Sequence, residues 1–167
     1  MKMIMIISCP DIDYIDDNAN FVREKTDEII HLNIATMNRE KSIELLNRAV
    51  ADEMTAVNQY MYFHFRCDDM GYDLLSSLFK RTAIVEMTHV EQLAERILFL
   101  KGEVEMKCSA PVEKIHDVKQ MLEKAAQMET GSVEDYNNWA NECSAAADSV
   151  SKKLFEALTA EEEAHLD

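Results

Sequence analysis

The chain has 167 residues, enough for one domain with a sizeable core, and sets 17 Lys and Arg against 32 Asp and Glu, a formal net charge of −15. That balance argues against a nucleic-acid partner, because binding to phosphates is driven by cationic side chains. It suits a shell that attracts cations. Three glycines and two prolines, with plentiful Ala, Leu, Glu, Met and Lys, predict an almost wholly helical protein.

Residues 1–37 stand apart from the rest. Residues 1–7 are apolar but far too short to span a bilayer, and they lack the small-residue cleavage site of a signal peptide. An acidic stretch follows Cys9-Pro10, and a short helix is expected over residues 21–32. This region is either an appended arm or lies upstream of a later start at Met37. Cys9, Cys67, Cys108 and Cys143 show no C-x-x-C spacing, so neither a zinc knuckle nor a disulfide framework is expected, and a reducing cytoplasm is the expected compartment.

From residue 38 to 167 the helical period is strong. Ile43, Leu46, Val50, Glu53, Val57 and Tyr60 recur at three- and four-residue steps, the stripe of a core-facing helix that should end near Met70-Gly71. A second stripe runs through Leu75, Leu78, Thr82, Glu86, His89, Leu93, Ile97 and Leu100, and Gly102 closes it. Residues 103–114 contain Pro111 and read as a long connection. The third stripe is Val118, Leu122, Ala125, Glu129, Val133 and Tyr136. The fourth is Val150, Leu154, Leu158, Glu162 and His165, with Asp148 or Ser149 as N-cap. Two short links flanking one long crossover predict an all-α, ferritin-like four-helix bundle, with the crossover between helices two and three.

The four inner stripes are apolar except at one level. There they carry Glu53, Glu86 with His89, Glu129, and Glu162 with His165. Glu86 follows Glu53 by 33 positions, and Glu162 follows Glu129 by the same 33. Each half therefore supplies a lone Glu and then a Glu-x-x-His pair, whose members share a helix face. Four unpaired carboxylates in a core would cost several kcal/mol each. Two divalent cations would cancel their charge, and two neutral imidazoles would complete the shells. Oxygen-rich ligation with one nitrogen per metal suits iron or manganese better than a closed zinc site. Glu-x-x-His also occurs at Glu28–His31 and Glu113–His116, but those pairs lie outside the inner stripes and have no matching lone Glu, so they are expected on the surface.

With these residues in hand a family resemblance emerges. Glu53-Met-Thr-Ala-Val-Asn-Gln-Tyr60, Glu86-Met-Thr-His89, Glu95-Arg-Ile-Leu-Phe-Leu-Lys-Gly102, Ala147-Asp-Ser-Val150 and Glu161-Glu-Glu-Ala-His165 together resemble bacterioferritin, from about residue 38 onward. The resemblance implies a ferroxidase that oxidises Fe(II) with O2 or H2O2 at a centre of two iron ions within each subunit. It also implies Fe(III) mineral stored in a hollow homo-oligomeric shell, no membrane partner, and a ferredoxin-type reductant for iron release. By the same resemblance Glu86 and Glu162 bridge the irons, Glu53 and His89 complete one, and Glu129 and His165 complete the other. Tyr60 matches the family tyrosine that supplies an electron during O2 reduction; spacing alone equally allows a core tyrosine with a satisfied hydroxyl. Met87 matches the position whose thioether ligates haem b across a two-fold subunit interface. One residue from Glu86, it points out of the bundle core.

Two departures from the family concern assembly rather than ligands. The fifth helix is absent and an N-terminal arm is present, as in the smaller Dps-like shells, which leaves two dozen subunits, a dodecamer or a truncated chain as alternatives. Cys108 lies in a suitable loop for a cysteine pair near the centre, but Gly131 stands where its partner would be. Two other functions compete. A rubrerythrin-like di-iron peroxidase or oxygenase is weakened by the missing C-x-x-C module. A Dps-like stress-protection protein is opposed by the acidic charge.

Overall fold

The computed structural model describes residues 38–166, so the arm, the helix expected over residues 21–32 and the Glu28–His31 pair lie outside the described residues. Four helices follow in order: α1 Arg39–Asp69, α2 Asp73–Phe99, α3 Val118–Ala145 and α4 Ser149–Leu166. Links of three residues join α1 to α2 and α3 to α4, which makes each pair an antiparallel hairpin, and the long connection crosses between the pairs. This is the ferritin-like helical bundle the sequence predicts.

Local chemistry sets the helix ends. Asn38 caps α1 by accepting from the Lys41 amide at 3.2 Å, and Asp117 caps α3 by accepting from Gln120 N at 2.9 Å. All of the first three helices stop in the same way, with one residue in the left-handed region and two reverse hydrogen bonds onto the last turn. The left-handed residue is Gly71 (φ 78°) after α1, Lys101 (φ 63°) after α2 and Ala147 (φ 60°) after α3. Behind α2, for example, Gly102 N donates to Ile97 O at 2.9 Å and Lys101 N to Leu98 O at 3.0 Å. Gly102, expected as the terminator, is therefore needed for a different reason. A Cβ on it would stand 2.8 Å from Ile43 Cγ2, on α1.

Residues at four-residue steps along α1 fasten the crossover. Asn47 donates to Glu103 O (3.0 Å) and accepts from Glu105 N (2.8 Å). Ala51 O and Thr55 Oγ1 receive Ser109 N, and Gln59 exchanges two bonds with the Glu113 backbone. An irregular segment laid over a helix needs its peptide groups satisfied, and this polar row does so.

Two apolar clusters fill the bundle. One, near the start of α1, holds Leu46, Val50, Leu93, Ile97, Trp139 and Phe155 among others; the second, near its end, is built on Tyr60, Phe63, Cys67, Phe79 and Met121. Each fully buried Leu, Ile or Phe contributes about 1.5–3 kcal/mol. Between the clusters lies the polar level. Three stripe residues differ from expectation: Leu78, Leu122 and Val150 face outward, Val150 at 58% exposure, and Phe79, Met121 and Ser151 take the core positions. Leu78 and Leu122 line a cleft of about 450 Å³ with Tyr60, Glu129 and His165, beside the last residues of α4. Val150, twelve positions before Glu162, stands about a third of a revolution round the helix from it at 3.6 residues per turn.

Candidate metal centre

The bundle brings all six predicted ligands together. Glu53 comes from α1, Glu86 and His89 from α2, Glu129 from α3, and Glu162 and His165 from α4; the four carboxylates and His89 are buried. His89 Nδ1 lies 2.9 Å from Glu86 Oε2, 3.1 Å from Glu162 Oε1 and 3.4 Å from Glu53 Oε1. His165 Nδ1 lies 3.2 Å from Glu162 Oε2, 3.3 Å from Glu129 Oε2 and 3.4 Å from Glu86 Oε1. The two imidazoles are near-parallel, with centroids 6.2 Å apart. Two ligand sets result, Glu53–Glu86–His89–Glu162 and Glu86–Glu129–Glu162–His165, each with ligand atoms within 4.8 Å of one another. Glu86 and Glu162 belong to both sets and present one oxygen to each histidine. That is the geometry of two adjacent cation positions joined by two carboxylates.

Both oxygens of Glu86, Glu162 Oε1 and His89 Nδ1 are buried and lie close to one another or to His165, yet none makes a well-directed hydrogen bond. Such atoms are costly to leave unsatisfied. Pointing inward, they fit a cation that replaces the missing partners.

Without a metal, protons perform part of that task. Burial and the neighbouring carboxylates hold the Glu86 carboxyl up at about 9, and Glu129 is raised to about 7, chiefly by burial. Burial pulls the His89 imidazole down, but bonds to Glu162, Glu53 and Glu86 outweigh it and leave the ring well above its ordinary value. His165 is raised to about 10 by Glu129 and Glu162. Glu162 is the anionic anchor. Burial opposes its ionisation, yet His165 and His89 hold it at about 2.

A ferritin-like domain family model matches residues 43–167. The bacterioferritin of Desulfovibrio desulfuricans is 40% identical over 128 residues, which cover 77% of this chain and 72% of the relative. That of Brucella melitensis is 37% identical over 128 residues, covering 76% and 79%. The chain belongs to the bacterioferritin family. Its fold also matches the X-ray structure of the Desulfovibrio desulfuricans bacterioferritin, described for its diiron site in different catalytic states, with a TM-score of 0.75 and 39% identity over 77% of this chain and 75% of that one.

Within this bacterioferritin-family bundle, two tyrosines complete the carboxylate level. The Tyr60 hydroxyl donates to Glu129 Oε1 and the Tyr136 hydroxyl to Glu53 Oε1, both buried. Burial first, then the facing carboxylates, raise both phenols far above their ordinary value, so both remain donors. Tyr136 appeared in the sequence only as an apolar-stripe residue. The signal was present: it follows Glu129 by seven positions, as Tyr60 follows Glu53.

A second residue the sequence did not single out is Glu161, whose Oε2 accepts from His89 Nε2 at 3.0 Å. A cleft of about 270 Å³ reaches the centre between α1 and α3, past Asp52, Ser109, Lys124 and Asp135 to Glu53, Glu86, Glu129 and Glu162. Met87 is not part of the centre; it is 50% exposed on the outer face of α2. The Glu113–His116 pair also stays out, with Glu113 bound to Lys124 Nζ at 2.6 Å and His116 exposed. Among the described residues, no helix is long and apolar enough to cross a membrane.

Proposed function

We propose that this chain is a ferroxidase and iron-storage subunit that binds two Fe(II) at the centre described above and oxidises them with O2 or H2O2. The observation that carries this is the pair of overlapping ligand sets sharing Glu86 and Glu162, with inward-facing buried atoms that make no well-directed hydrogen bond among the described residues. Glu86 and Glu162 would bridge, Glu53 and His89 would complete one position, and Glu129 and His165 the other. Iron bound there supplies the electrons for reduction of the oxidant, each Fe(II) becoming Fe(III).

The protein's own residues supply charge balance, orientation and protons. Four carboxylates neutralise two divalent cations, and the two imidazoles leave coordination positions on the cleft side for a small oxidant. Tyr60 and Tyr136 fix the outer carboxylates Glu129 and Glu53, which limits the ligand rearrangement that a change in metal charge demands. Tyr60 is also placed, one hydrogen bond from a ligand, to deliver an electron with its proton.

Acidic Asp52 and Asp135 at the cleft would attract Fe(II), in keeping with the net charge of −15. Cys67, Cys108 and Cys143 are free thiols, in keeping with a reducing cytoplasm. We assign the store to a hollow homo-oligomeric shell. Haem b between two copies at Met87 is the further cofactor, a role its exposed thioether permits.

The test is mineral uptake. Aerobic Fe(II) added to the purified protein should give a soluble iron core far exceeding the two ions the centre holds. Oxidation that stops at the centre would instead favour a di-iron peroxidase. For haem, a Soret band in protein expressed with ample haem should vanish in Met87→Ala, and a wild-type protein lacking the band would remove that assignment.

A further inference from the structure

We propose that the two cation positions are unequal, the Glu53–His89 position binding a divalent cation first and more tightly because Glu161 orients His89 while no equivalent carboxylate among the described residues orients His165. This rests on the metal centre proposed above and concerns how that centre fills.

The two halves of the bundle repeat at an offset of 76 residues. Glu53 maps onto Glu129, Glu86 onto Glu162, His89 onto His165, and Tyr60 onto Tyr136. The repeat holds in space for the carboxylates and phenols, since each lone Glu accepts from the tyrosine of the other half. It fails at one place. His89 Nε2 donates to Glu161 at 3.0 Å, leaving Nδ1 aimed into the centre. The residue 76 positions earlier is Val85, which has no acceptor. His165 meets Glu86, Glu129 and Glu162 through Nδ1, and no further carboxylate among the described residues pairs with it.

A carboxylate behind a ligating histidine fixes the tautomer, holds the ring plane and raises the basicity of the coordinating nitrogen. Removing such a partner typically weakens metal affinity about 10–100-fold. Here Nε2–H is pinned, so Nδ1 already faces the first position, and its lone pair is delivered there as the Nδ1 proton leaves. His165 must select its tautomer and orientation during binding, which lowers the affinity of the second position. Glu161 is a positioning residue: it acts through His89 and does not itself reach the cations. Its half-exposed side chain adds little to folding, so it can be changed without collapsing the bundle.

Cobalt(II), added to the whole chain freed of metal by chelation, is followed by visible absorbance and by calorimetry. The wild type should bind two ions per chain in two resolved steps. His89→Ala should abolish the tight step, and His165→Ala only the weak one. Glu161→Ala should weaken the tight step about 10–100-fold and bring the steps together, and Glu161→Gln, which keeps an acceptor, should restore part of the gap. Val85→Glu should strengthen the weak step alone. Two equal sites in the wild type, or equal weakening of both steps in Glu161→Ala, would overturn the inequality while leaving the metal centre standing. No stoichiometric cobalt binding at all would instead remove the metal centre.

Discussion

The Tyr136 hydroxyl on α3 donates to Glu53 on α1, across the bundle, and mirrors the bond from Tyr60 to Glu129. Tyr136→Phe removes the donor and keeps the ring among Trp139 and Phe155. Glu53 then loses a partner in a buried site, a loss of about 1–3 kcal/mol in the metal-free protein. Cobalt affinity should fall in Tyr136→Phe and in Tyr60→Phe alike. Because both tyrosines end on one carboxylate–imidazole network, their effects on stability in the double variant should depart from additivity by about 0.5–3 kcal/mol, as measured by urea unfolding.

The two shared carboxylates should separate sharply when metal is absent. Glu86 is protonated at neutral pH, being held up at about 9, so Glu86→Gln substitutes one neutral group for another and should change stability by less than about 1 kcal/mol. Glu162 is ionised and faces both imidazoles, at 3.1 Å from His89 Nδ1 and 3.2 Å from His165 Nδ1. Its folded value of about 2 lies below the ordinary 4.5, so its contribution is complete above pH 4.5 and is lost as pH falls through about 2. Glu162→Gln should therefore cost on the order of 2 kcal/mol at pH 7 and much less at pH 2–3. Both variants should abolish fast Fe(II) oxidation. Equal stabilities of the two metal-free variants at pH 7 would contradict the charge assignment.

Metal uptake should expel protons. In the metal-free centre Glu86, His89 and His165 all hold a proton at pH 7, and each must lose it to coordinate. Binding two zinc ions should release roughly three to four protons, one from each of these groups and about half of one from Glu129, measurable with an indicator in weak buffer. Since protons compete with the metal below these values, affinity should rise with pH throughout the neutral and mildly alkaline range, up to and beyond 9–10. An affinity independent of pH between 6 and 9 would contradict this.

The ligand level was legible in the sequence because it rests on spacing. A common step of 33 residues places six titratable side chains at one height whatever the exact helix ends, and the structure brings all six together. The seven-residue step to Tyr136 was equally available. It went unused because an aromatic in an apolar stripe is ordinarily core, and Tyr136 is indeed core on every side but its hydroxyl. Glu161 could not be read at all. It stands in the run Glu161-Glu162-Glu163, where nothing in composition says which carboxylate meets which imidazole nitrogen. Leu78, Leu122 and Val150 failed for the reverse reason, because burial depends on which neighbouring element covers a position, and a three-or-four-residue step does not carry that information.

The choice between Asp148 and Ser149 as the cap of α4 is decided by tertiary contacts. Asp148 accepts from Ser151 N at 3.0 Å, from Ser151 Oγ at 2.6 Å and from Arg96 Nη2, on α2, at 2.6 Å. Asp148 is buried, yet these donors outweigh burial and lower its carboxyl below 3.8. Asp148→Ala removes a cap and leaves the nearly buried Arg96 guanidinium without its carboxylate, so a loss of about 2–4 kcal/mol is expected. With a depressed folded value, this contribution is present above the ordinary carboxylate range and disappears as pH falls below it. Chemical denaturation of wild type and variant at pH 7 and pH 3 should show the difference shrink at the lower pH.

Two small residues at helix ends should respond with opposite signs. Ala147 holds a left-handed conformation at φ 60°, where a Cβ crowds its own carbonyl at about 1–2 kcal/mol. Ala147→Gly removes that strain and returns some of the gain as unfolded-state entropy, for a net stabilisation of about 0.5–1 kcal/mol. Gly102 is the opposite case. Its left-handed neighbour Lys101 already bears the turn, and the added methyl of Gly102→Ala would meet three Ile43 carbons at 2.8–3.0 Å. Ile43 and the crossover must then shift, a cost of about 1–3 kcal/mol. Ile43→Val in the Gly102→Ala background removes one of those carbons, Cδ1, and should recover part of the loss. A denaturation midpoint unchanged by Gly102→Ala would mean that Ile43 swings clear at no cost, and that this contact does not set the glycine at the end of α2.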